Sequence, residues 1–131
     1  MDEKIKILVV DDESSVREFF ERLLKLKGFE AVTINSGKEA LDFIAANKVH
    51  LVIIDIFMPE MDGFELLDKI KRNYPKIATI MMTGMGDSKM IRKATLHGAD
   101  EYISKPFKRE ELSLVIERAI WKIMPTGSLS E

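Results

Sequence analysis

Apolar runs that alternate with stretches of helical spacing constrain this chain more than any other feature. The runs "IKILVV" (5–10), "AVTI" (31–34), "LVIID" (51–55), "ATIMMT" (78–83) and "EYIS" (101–104) have the length and composition of strands. Each is followed by a helical pattern. In "SSVREFFERLLKLKG" the residues Val16, Phe19, Phe20, Leu23 and Leu24 share one face, with Ser15 and Glu18 placed as a capping box and Gly28 as a stop. "SGKEALDFIAANK" carries Ser36 and Glu39 as its capping signature. "DGFELLDKIKRNYP" is entered by Asp62 and closed by Pro75. "DSKMIRKATLHG" ends at Gly98, and "REELSLVIERAIWKI" places Leu112, Val115, Ile116, Ala119 and Ile120 on one face.

Five such units predict a doubly wound parallel sheet of flavodoxin-like type with five flanking helices. The first, third and fourth runs are continuously apolar, as central parallel strands are; the second and fifth are short and mixed, as edges are. Right-handed crossovers then give the strand order 2-1-3-4-5. At 131 residues the chain has room for one domain, expected over 1–124, with 125–131 as a tail or linker stub.

Composition excludes several classes. A net charge of −2 gives no nucleic-acid footprint, and the absence of cysteine removes disulfides and thiolate metal sites. No apolar stretch approaches the ~20 residues of a membrane span, and the start "MDEKIKILVV" lacks the form of a signal peptide. A cytoplasmic location without membrane insertion is the expectation.

One residue does not suit its strand. Asp55 closes a run of core-type residues, and a carboxylate left buried and unpaired costs several kcal/mol. In the predicted topology Asp55 ends the third strand, Asp11 and Asp12 the first and Thr83 the fourth, and Lys105 follows the fifth. All converge at the carboxyl edge, where such sheets bind ligands. Carboxylates about 4 Å apart repel by about 4 kcal/mol at an effective dielectric near 20. A divalent cation relieves that repulsion, and an all-oxygen donor set without Cys or His suits Mg²⁺. With a lysine and a hydroxyl beside it, a carboxylate is then a candidate nucleophile for phosphoryl transfer.

The motifs "VVDDE", "IIDIFMPEMDG", "MMTG" and "YISKPF", in order and each at a strand end, resemble the receiver domain of two-component response regulators over residues 4–124. The resemblance implies that Asp55 accepts phosphate from a histidine kinase or histidine phosphotransfer protein. It implies that Asp12, Asp55 and the backbone carbonyl of Phe57 ligate Mg²⁺, with Asp11 acting mainly through an ordered water. It further implies that Thr83 and Lys105 bind phosphoryl oxygens, that Lys105-Pro106 is cis, and that Tyr102 is a switch aromatic controlling a helix 4/strand 5/helix 5 surface toward a downstream effector. Ser15, Val16, Phe19, Pro106 and Phe107 are expected to form a kinase-docking patch, with a core role for Phe19 as the alternative. A dimer formed on phosphorylation stays open. Phe57 and Met85 flank the approach of a hydrolytic water and, being apolar, predict a long-lived phosphorylated state.

Plainer readings stand beside these. Asp11–Asp12 alone is an ordinary helix N-terminal signal, and Tyr102 alone an edge-strand residue. Pro59 and Gly63 shape the loop after Asp55. His50 and His97 have no acidic neighbour at ligand spacing and are expected at the surface or a helix end. A phosphatase of the haloacid dehalogenase type needs a second acid two residues after its nucleophile, where this chain has Phe57. A degenerate receiver would have lost an acid or the lysine, and none is lost here.

Overall fold

The computed structural model describes residues 4–84 and 88–123. Its elements alternate throughout: β1 (Lys6–Val10), α1 (Ser14–Leu26), β2 (Glu30–Ile34), α2 (Gly37–Ala46), β3 (Leu51–Asp55), α3 (Gly63–Asn73), β4 (Ala78–Thr83), α4 (Ser88–Leu96), β5 (Glu101–Ser104) and α5 (Arg109–Ile123). All pairings are parallel, in the order β2-β1-β3-β4-β5. Met85 and the expected tail over 125–131 lie outside the described residues.

Burial follows from the two-residue period of the strands. Ile7, Val9, Ile53, Ile80 and Met82 face α1 and α5, where they meet Phe20, Leu24 and Ile116. Leu8, Val10, Val52, Ile54 and Met81 face the other way, onto Ala40, Leu66, Ile70 and Ala94. β3 and β4 are buried along their whole length, whereas β2 and β5 are partly open. The sheet therefore has two dry faces and one polar edge.

Helix signals hold at most ends. Ser36 Oγ accepts from Glu39 N–H, and Asp62 Oδ1 from Glu65 N–H. Gly28 and Gly98 follow α1 and α4 at φ of +90° and +92°, a conformation without penalty only for glycine. The capping box expected of Ser15 and Glu18 does not form. α1 starts at Ser14 with Glu13 as N-cap, and no side chain caps it. The reason lies one turn earlier: Asp11 Oδ1 takes the N–H of Glu13 at 2.9 Å, which carries the chain into the helix before Ser15.

Candidate functional site

The strand ends set the site. Asp11 N–H donates to Ile34 O and Ile56 N–H to Met82 O, so the ladders continue just past β1 and β3. Asp55 thus stands beside Met82 in register and next to Asp11, both carboxylates buried. Asp12 is exposed at the pocket mouth. A carboxylate oxygen from each of Asp11, Asp12 and Asp55 lies within 4.8 Å of the others. At that separation two like charges repel by about 3.5 kcal/mol with an effective dielectric of 20.

Lys105 answers part of that charge. Its N–H donates to Thr83 O at 2.9 Å, fixing the start of the residue beside β4, and its bond to Pro106 is cis. The ammonium reaches Asp11 Oδ2 at 3.3 Å, Glu13 Oε1 at 3.5 Å and Asp55 Oδ1 at 3.6 Å. One cation does not neutralise the cluster. Burial first, and then the charge of Asp11, push the Asp55 carboxyl up to about 6. Lys105 and a hydrogen bond from the Phe57 N–H act the other way, and Asp12 adds to the rise. For Lys105 burial disfavours the ammonium, but Asp55 and Asp11 outweigh it and raise its pKa.

Three oxygen donors from three carboxylates, two of them buried, fit a hard divalent cation such as Mg²⁺. Both described histidines are engaged elsewhere, His50 with Lys6 N–H and His97 with Asp68. Phe57 contributes its N–H to Asp55, and the residue is 63% exposed.

Thr83 is buried at the end of β4, its hydroxyl 3.4 Å from that of Ser104 across the β4–β5 pair. Two residues before Ser104, the Tyr102 ring is exposed. The docking patch assembles only in part. Phe19 stacks on Phe107 at 5.6 Å, and both rings lie edge-on to the buried Phe20. Phe19 is therefore anchored at the core's margin while also lining a groove with Ser15, Glu18 and Arg109. Val16 is half-buried, and Ser15 and Pro106 are exposed.

Several features were not expected from the sequence. Glu13 joins the Lys105 cluster, and Ser104 pairs with Thr83. His97 lies at a helix end as expected, just after α4, and gains a partner there. Although an acidic neighbour was not apparent, its Nδ1 lies 2.7 Å from Asp68 Oδ1 and its ring 5.2 Å from Phe64, tying the end of α4 to α3. The two residues are 29 positions apart, beyond the reach of any local spacing rule. Gly63 does more than shape a loop. A Cβ there would strike the Asp55 carbonyl oxygen and stand 2.7 Å from Ile56 Cα, so the start of α3 packs directly on the backbone that carries Asp55.

Comparison with known proteins agrees with this geometry. The family model for the response regulator receiver domain matches residues 7–117. The regulatory protein AtoC of Escherichia coli K12 is 36% identical over 115 residues, covering 88% of this chain and 25% of the relative. The DNA-binding transcriptional regulator NtrC of the same strain is 39% identical over 114 residues, covering 87% and 24%. The chain thus spans about a quarter of the length of these curated relatives. The crystal structure of the receiver domain of NtrX from Brucella abortus superposes with a TM-score of 0.84 at 38% identity, covering 88% of this chain and 98% of that one. The chain belongs to the response regulator receiver family, a family of signalling domains.

Proposed function

We propose that this chain is a phosphorylation-dependent switch in which Asp55 accepts a phosphoryl group from a histidine kinase or a histidine phosphotransfer protein. The observation that carries the reading is the convergence of Asp11, Asp12, Asp55, Thr83 and Lys105 at one sheet edge, with the Lys105 ammonium 3.6 Å from the Asp55 carboxylate. An Asp55 oxygen forms the bond to phosphorus as the phosphorus–nitrogen bond of a phosphohistidine breaks. The imidazole leaves with the electron pair and takes up a proton from water. Asp12, Asp55 and the Phe57 carbonyl would hold Mg²⁺ directly and Asp11 mainly through an ordered water; when bound, the ion would neutralise the carboxylates and the phosphoryl oxygens. Lys105 and Thr83 stabilise the phosphoryl oxygens from the protein side.

The added charge of about −1.5 to −2 draws Thr83 toward the phosphoryl group and away from Ser104. Tyr102, now exposed, then takes the vacated space and changes the α4/β5/α5 surface presented to a downstream effector or output domain. In this reading residues 1–124 form the phosphoacceptor unit, at work in the cytoplasm and without direct nucleic-acid contact. No helix among the described residues is long and apolar enough to cross a membrane. Incubation with acetyl phosphate and Mg²⁺ tests the assignment. The expected product is a singly phosphorylated chain that persists; continuous release of phosphate indicates a phosphatase, and no labelling indicates a binding-only module.

A further inference from the structure

Glu13 occupies an unusual place. It is the N-cap of α1, yet its side chain makes no capping hydrogen bond. The carboxylate turns instead to the mouth of the acidic pocket and takes Lys105 at 3.5 Å. Its carboxylate is not one of the three whose oxygens converge within 4.8 Å; that side chain meets the cluster at the Lys105 ammonium, while the Glu13 backbone N–H donates to Asp11 Oδ1.

We propose that Glu13 is a positioning residue that detains Lys105 at the rim of the pocket and slows phosphoryl acceptance at Asp55. The inference rests on Asp55 being the phosphoacceptor. Lys105 is shared among Asp11, Glu13 and Asp55 at 3.3, 3.5 and 3.6 Å, while its backbone is pinned to Thr83 O. An ammonium that closes on a phosphoryl group over Asp55 must loosen its hold on the rim. A cation held by the three aspartates offsets the pull of Asp11; Glu13, outside that trio, keeps its own. The Glu13 side chain is 61% exposed, so its hold is that of a surface ion pair. That corresponds to an effect of about two- to fivefold on the rate of phosphoryl acceptance.

The test uses the whole chain with acetyl phosphate at limiting concentration and saturating Mg²⁺. Glu13→Gln accelerates phosphorylation by about two- to fivefold. Glu13→Asp keeps the charge but falls one methylene short of Lys105, and it reproduces most of that gain. Both gains vanish in a Lys105→Met background. The proposal is overturned if Glu13→Gln brings no gain, if Glu13→Asp behaves as wild type, or if the gain survives without Lys105. A wild-type chain that takes no phosphoryl group refutes the phosphoacceptor reading instead. In that event the unfolding equilibria in EDTA of wild type, Glu13→Gln, Lys105→Met and the Glu13→Gln/Lys105→Met double variant still decide whether Glu13 holds Lys105. A coupling of about two- to fivefold in the unfolding constant is expected, and no measurable coupling rejects the hold.

Discussion

Replacing Asp55 by asparagine is expected to stabilise the metal-free fold near neutral pH. The Asp55 side chain is 8% exposed and its carboxyl is pushed up to about 6 against an ordinary 3.8. A carboxyl whose pKa is raised by folding contributes its full stability below the unfolded value. That contribution is lost as pH rises through the folded value. A displacement of roughly 2 on the pH scale corresponds to about 3 kcal/mol, and the attraction of Lys105 is already within that balance. The amide retains the shape of the carboxylate without its charge. Asp55→Asn should therefore match wild type near about pH 3–4, gain between about pH 4 and 6, and level off about 2–3 kcal/mol more stable above about pH 7. Mg²⁺ stabilises wild type by mass action and narrows the difference. Urea unfolding across this pH range, in EDTA and again in Mg²⁺, measures it. A variant no more stable than wild type at neutral pH in EDTA, or a gain that does not vary with pH, refutes the electrostatic account.

Three further outcomes follow from the geometry. Gly63→Ala forces a methyl group onto the Asp55 carbonyl and should lower stability by about 1–3 kcal/mol while slowing phosphorylation, which unfolding curves and donor kinetics check together. Phe19→Ala removes a half-buried ring stacked on Phe107; it should cost about 2 kcal/mol and slow phosphotransfer from the kinase far more than from acetyl phosphate, whereas equal slowing assigns Phe19 to the core alone. Thr83→Ala should still accept phosphate but transmit it weakly, seen as little change in Tyr102 exposure or partner binding on phosphorylation, and undiminished coupling counts against the switch.

The strands and helices were legible because burial imposes its period directly on side-chain type. The continuous apolar runs of β3 and β4 and the mixed runs of β2 and β5 announced which strands are central and which are edges. The acidic cluster was legible because Asp55 breaks an otherwise unbroken core run. Glu13 was not, since a charge at a helix start is ordinary and its partner lies 92 positions away at Lys105. The same holds for His97 and Asp68, joined only where the residue that follows α4 reaches α3. The missing capping box had a further cause: Asp11, engaged in the site, redirects the chain ahead of Ser15. The side-chain direction of Phe57 was undetermined from sequence, and the residue is largely exposed.

The central claim is that Asp55 is the phosphoacceptor and that a divalent cation is required. Mass-spectrometric mapping of the chain after incubation with a small phosphodonor tests it most directly, with Mg²⁺ and with EDTA, for wild type and Asp55→Asn. The account predicts a single phosphoryl group on the peptide carrying Asp55, present only with the metal and absent from the variant. Labelling that persists in Asp55→Asn, or that forms equally well in EDTA, contradicts it.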